Sequence, residues 1–190
     1  MTRSTRRTAR ALCLGVLALL LVVPAADAKK KDKYLERFTG RAYWSGATSQ
    51  IEIALSRWSS DEERELLART LIEEGNEALT KALEKQEETG FVKLTNTLGR
   101  PLRYAREFQD GETRIIRLVT DRPIFFGELD RGHKTLDYSV TLIELRLGPD
   151  GTGEGVFLGG VQLAFNRETG TLEVKHRSTE PVRLTKVRKR

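Results

Sequence analysis

The chain has 190 residues, 38% of them apolar and 32% charged, with a formal net charge of +6. That length suits one ordinary domain, and the apolar content is too high for wholesale disorder. The positive excess sits at the ends: residues 1–28 carry four arginines and one aspartate, 29–33 four lysines and one aspartate, and 183–190 five basic residues and no acid, whereas 34–182 holds 20 basic and 25 acidic residues. A mildly acidic body argues against a dedicated nucleic-acid domain, which carries its positive charge on the folded face.

Arg3, Arg6, Arg7 and Arg10 precede an unbroken apolar run, Ala11–Val23, followed by Pro24 and the small-residue pattern Ala26-Asp27-Ala28. This is the layout of a secretory signal peptide, and the run is too short for a comfortable membrane span. Residues 1–28 are therefore expected to be a cleaved signal that exports the protein to the periplasm or the medium. Arg6-Arg7 lacks the apolar pair of a twin-arginine signal, and Cys13 lies near the start of the apolar run, where a lipidated cysteine does not belong. Cleavage after Ala28 leaves 162 residues without cysteine, which excludes thiol catalysis, disulfides and thiolate metal sites from the mature chain.

Residues 29–36 read as a basic leader and 37–187 as a single α+β domain, with 188–190 as a basic tail. Arg37–Trp44 and Gln50–Trp58 are predicted strands, the second with Ile51, Ile53 and Leu55 alternating with Glu52, Ala54 and Ser56. Ser60 with Glu63 forms a capping-box signature, and apolar residues recur at helical spacing to Glu87. Gly75-Asn76 interrupts them, so a kinked helix or a helical hairpin is expected at about 60–87. Strands then follow one another: Phe91–Thr95, Leu102–Phe108, Thr113–Thr120, the short apolar piece Ile124–Glu128, and Leu136–Leu147. Val156–Leu158, Val161–Phe165, Thr171–His176 and Val182–Val187 complete the series. Asp110-Gly111 and Pro149-Asp150-Gly151 mark turns between them. In the final segment Val182, Leu184 and Lys186 alternate with Arg183, Thr185 and Val187, a last strand with a frayed basic end. The expected fold is a mainly antiparallel β-sheet, a sandwich or open barrel, with the helices covering one side or end. A closed barrel with helices at its mouth is the second architecture.

No nucleophile elbow, P-loop, zinc-protease or EF-hand motif is present. Gly151, Gly153 and Gly155 lie between two strands with no following helix, which reads as a flexible hairpin rather than a phosphate cradle. The two histidines, His133 and His176, lie far apart without neighbours at ligand spacing, so neither metal nor cofactor is expected. Asp121, Asp130 and Asp137 flank loops around Ile124–Glu128. They would serve a hydrolase-like enzyme only if they met each other or Arg122 in a cleft. Arginines on apolar strand faces are more distinctive: Ile51, Ile53, Leu55 and Arg57 share one face by alternation, as do Leu102, Tyr104, Arg106 and Phe108. Such arginines either form internal ion pairs or hold an anion, with Arg57, Tyr104 and Arg106 as its candidate seat.

The segments Ser56-Arg57-Trp58-Ser59, Leu102–Glu107, Thr120–Ile124, Thr141–Leu147 and Gly153-Glu154-Gly155 together resemble a family of small exported bacterial proteins of uncharacterised function. The resemblance implies export and assigns no catalytic residue. The function expected from the sequence is an exported, non-catalytic binding or interaction domain of the cell envelope, taking a small anionic ligand or an envelope protein. The alternatives are a hydrolase built on loop carboxylates and a protein held to the envelope surface by its basic termini.

Overall fold

A computed structural model describes residues 33–124, 139–176 and 181–190. The signal-like segment 1–28, Cys13, Asp130, His133 and Asp137 lie outside the described residues, as does all of Ile124–Glu128 except Ile124. Alternation produces β1 (Glu36–Trp44) and β2 (Ala47–Leu55), joined at Ser45-Gly46 and paired antiparallel along their whole length. The second strand ends at Leu55 rather than Trp58. Two helices follow, α1 (Asp61–Glu74) and α2 (Asn76–Lys85). The capping box forms: the Glu63 amide donates to Ser60 Oγ at 3.2 Å, and the Ser60 amide donates to the Glu63 carboxylate at 2.8 Å. Gly75 takes φ 88°, a left-handed conformation that separates the helices, so the interruption in the apolar pattern is a true break.

The remaining strands are β3 (Gly90–Leu94), β4 (Arg100–Leu102), β5 (Tyr104–Asp110), β6 (Thr113–Val119), β7 (Val140–Leu147), β8 (Thr152–Asn166), β9 (Thr171–His176) and β10 (Val182–Lys189). All pairings are antiparallel, in the order β4-β3-β2-β1-β10-β8-β7-β6-β5, with β9 added to the distal part of β8. The first and last members of that path, β4 and β5, are consecutive in the chain and separated by Arg103 alone. The sheet therefore curls into a nearly closed barrel, with the continuous segment 100–110 serving both edges. The segments Val156–Leu158 and Val161–Phe165 belong to one long strand, β8. Gly153 and Gly155 are part of it, not of a flexible hairpin. A Cβ at Gly153 would lie 1.9 Å from the Arg146 carbonyl oxygen, so the absence of a side chain there is a packing requirement.

The barrel interior is filled by Phe38, Ile53, Leu55, Leu102, Ile116, Leu118, Ile143, Leu145, Leu147, Phe157 and Leu184, all fully buried. Small barrels are packed in this way rather than left hollow. Trp44 and Trp58 pack against this core from its margin. A second apolar layer lies outside the barrel: Leu67 and Leu71 of α1 and Leu79 and Leu83 of α2 cover Val119, Val140, Val161 and Leu163. The helices thus cover one side of the sheet. On the same strand faces as the interior residues, Glu36, Glu107, Arg114 and Lys189 form an ion network. Arg114 grips Glu36 with two bonds of 2.9 and 3.0 Å and also pairs with Glu107, while Lys189 reaches Glu36 at 2.9 Å. Burial pushes the Glu36 carboxyl up, but the bonds from Arg114 and Lys189 outweigh it and hold its pKa below the usual range. Among the described residues, no helix is long and apolar enough to cross a membrane.

Candidate functional site

The arginines singled out by strand alternation converge on the start of α1. Because β2 ends at Leu55, Arg57 leaves the strand face, and its guanidinium makes two 2.9 Å bonds to the Glu63 carboxylate and a third of 2.9 Å to the Glu87 carbonyl. Its buried Nε makes no hydrogen bond and lies 3.5 Å from the Glu87 carboxylate. Leu102, Tyr104, Arg106 and Phe108 do not share one face either. Arg103 breaks the ladder between β4 and β5, so Leu102 and Ala105 are both fully buried while Tyr104 and Arg106 turn outward. Tyr104 packs under the helices, and burial pushes its hydroxyl pKa up. Arg106 donates to Asp61, the first residue of α1, at 2.7 Å. Arg57, Tyr104 and Arg106 are therefore neighbours of one helix end, with both cations engaged by acids of that helix.

Asp121 occupies a second concentrated site. Its carboxylate accepts from Arg103 Nε at 2.8 Å and Arg122 Nε at 3.0 Å. Burial raises its pKa, yet the bonds from Arg122 and Arg103 more than offset this, so the group stays ionised below the normal aspartate range. A carboxylate held in this way does not serve as a proton donor near neutral pH. Alongside it, Thr141 Oγ1 accepts from the Ile124 amide at 2.8 Å and donates to the Gly159 carbonyl at 3.0 Å. This polar knot anchors the segment Thr120–Ile124 against β7 and β8. His176 ends β9 opposite Val161. Among the described residues, no group of three or more histidine, cysteine or acidic side chains is arranged to hold a metal ion.

The feature that strand alternation missed is the outer face of β10 and β1. Alternation assigns Lys186 to the face of Val182 and Leu184. Instead the pairing of β10 with β8 shifts between Leu184 and Val187, and Lys186 takes φ 51°. This bulge turns Val187 into the core and leaves Lys186 exposed beside Thr185. The basic C-terminus is accordingly not a frayed tail: it is a barrel strand, with Lys189 bonded to Glu36 and the Arg190 amide to the Arg37 carbonyl at 2.9 Å. Arg183 lies opposite Tyr43, and Thr185 opposite Arg41. Arg41 and Arg183 are thus diagonal neighbours on adjacent strands, about 7–8 Å apart between backbones.

Among the described residues, Arg41, Arg183, Lys186 and Arg188 are exposed and make no ion pair or side-chain hydrogen bond. Of the two acids lining the adjoining groove, Glu144 is already shared by Arg117 and Arg146, each at 2.9 Å, and those bonds hold its pKa low against the upward push of burial, whereas Glu154 is exposed and makes no ion pair among the described residues. A groove of about 460 Å³ runs beside Arg183, between Arg146 and Glu154 on one side and Thr185 on the other. Exposed Tyr43 and Val156 add apolar surface to the same face. The arrangement presents guanidinium forks, an ammonium and an aromatic ring on rigid strands, a donor set suited to phosphate, sulfate or carboxylate groups. In comparisons with protein families, curated proteins and solved structures, the chain matches none of them.

Proposed function

We propose that this protein is an exported, non-catalytic binding domain whose β10–β1 face holds an anionic ligand in the cell envelope. The observation that carries this reading is the set of four cations without acidic partners, Arg41, Arg183, Lys186 and Arg188, on one strand pair of a packed barrel. Several arginines elsewhere are committed to acids, Arg57, Arg103, Arg106 and Arg114 among them. Arg69 and Arg100 also lack an acidic partner among the described residues, but each stands apart from the cluster on this strand pair. Unpaired cations repel one another, and a multivalent anion relieves that repulsion while releasing counterions. Export rests on the residue pattern of 1–28.

The test is binding of polyphosphate of defined length, measured by fluorescence anisotropy over a range of salt concentrations. Wild-type affinity is expected to fall linearly with salt on a double-logarithmic plot. The Arg41→Ala/Arg183→Ala variant is expected to bind more weakly, with the slope reduced by about one for each contact removed. Arg106→Ala is expected to bind as wild type, because that guanidinium serves Asp61. No wild-type binding, or loss through Arg106→Ala with Arg41→Ala/Arg183→Ala unaffected, overturns the assignment to this face.

A further inference from the structure

Among the described residues, no strand pairs with the outer edge of the ribbon made by the distal part of β8 and β9. Among the described residues β9 pairs with β8 alone, and Thr171–Lys175 are all exposed. Along Thr171–Lys175, alternate backbone N–H and C=O groups on the outer side therefore have no ladder partner among the described residues, the arrangement that templates the addition of another strand. The edge is also apolar on one face: Leu172 and Val174 are 54% and 40% exposed. They stand opposite Phe165 and Leu163, and Leu163 belongs to the apolar layer beneath the helices. The exposed pair thus extends an existing buried layer outward instead of standing alone on a polar surface.

The charges on the other face choose the partner. Thr171, Glu173 and Lys175 alternate with Leu172, Val174 and His176. When a strand pairs with its own copy about a two-fold axis, residues on the same face must meet, so only every second register is possible. Centring the axis on Glu173 sets two glutamates opposite each other, and centring it on Lys175 sets two lysines opposite each other. Centring it on Val174 brings Glu173 opposite Lys175 of the second copy, twice, with Val174 against Val174 and Leu172 against His176. Like charges opposed across strands destabilise a pair and unlike charges stabilise it. The sequence of this edge is self-complementary in that one register.

We infer that β9 is a homodimerisation edge: two copies of this chain pair antiparallel through β9 about Val174, joining their sheets into one. The interface shares no residue with the basic β10–β1 face, so it stands or falls independently of ligand binding.

Sedimentation equilibrium of the processed protein, purified from an exporting host, tests this directly. Wild type is expected to be a dimer. Glu173→Lys places lysine opposite Lys175 twice and is expected to weaken the dimer at least about tenfold, as is Lys175→Glu. The exchange Glu173→Lys/Lys175→Glu restores the opposed pairs and is expected to restore the dimer. It also loses the bond from Asn166 to Glu173, so rescue distinguishes pairing from a local folding defect. A monomeric wild type, a dimer indifferent to the single reversals, or a double exchange that fails to dimerise overturns the inference.

Discussion

Asp121→Asn is the sharpest probe of how the barrel secures its polar knot. The Asp121 side chain is only 1% exposed and bonds to two arginines of unequal environment: Arg103 is 18% exposed and Arg122 is 52% exposed. A hydrogen bond to a charged group contributes about 1.5–3 kcal/mol when sheltered, and an exposed ion pair under about 1 kcal/mol. Arg103 keeps the Gln86 carbonyl at 3.1 Å and the Glu88 carboxylate at 3.7 Å, so it is not left wholly unpartnered. The expected loss at neutral pH is therefore about 2–3 kcal/mol. Urea unfolding followed by the fluorescence of Trp44 and Trp58 measures it.

The pH dependence supplies a second check on the same pair. The folded pKa of Asp121 lies below its unfolded value. Its contribution is then fully present above the unfolded value, about 3.9, and is lost as pH falls through the lower folded value. The stability gap between wild type and Asp121→Asn is expected to close on acidification over that window, because protonated Asp121 is as neutral as asparagine. A gap below about 0.5 kcal/mol at neutral pH, or one that does not narrow in acid, refutes the assignment of a stabilising ionic role to Asp121.

Two further substitutions test local geometry. Gly90→Ala is expected to cost more than about 2 kcal/mol or to prevent folding, since a Cβ there lies 2.0 Å from the Ala54 carbonyl oxygen at φ 154°. Gly111→Ala meets no atom within 4 Å and is expected to cost only about 1–2 kcal/mol, for its left-handed φ of 57°. Both are read from urea midpoints, and equal effects at the two positions would count against the crowding at Gly90. Ser60→Ala is expected to destabilise by about 1 kcal/mol and Ser60→Gly by a few tenths, because Ser60 Oγ accepts the Glu63 amide. Circular dichroism during urea unfolding reports this, and a neutral Ser60→Ala would remove the cap from the account of α1.

Local features of this protein were legible from residue order alone, because each depends on groups a few positions apart. The alternation of Ile51, Ile53 and Leu55, the capping box of Ser60 with Glu63, the break at Gly75 and the turns at Asp110-Gly111 and Pro149–Gly151 are of this kind. So is the antiparallel α+β class, which follows from many short alternating segments with one helical insertion. The partners of Arg57 and Arg106 required the fold, since Asp61 and Glu63 become their neighbours only when β2 ends at Leu55 and α1 packs over β5 and β6.

Inside and outside also had to be settled by tertiary structure wherever alternation fails. Arg103 offsets the face of Tyr104 and Arg106 from that of Leu102, and the bulge at Thr185–Lys186 exchanges Lys186 for Val187 in the core. An irregularity of one residue inverts every assignment beyond it, and its position is decided by pairing with strands distant in sequence: β8 for β10, and β3 and β6 for the segment 100–110. The basic face has the same origin. Arg41 and Arg183 are separated by most of the chain, and only the pairing of the first barrel strand with the last makes them neighbours.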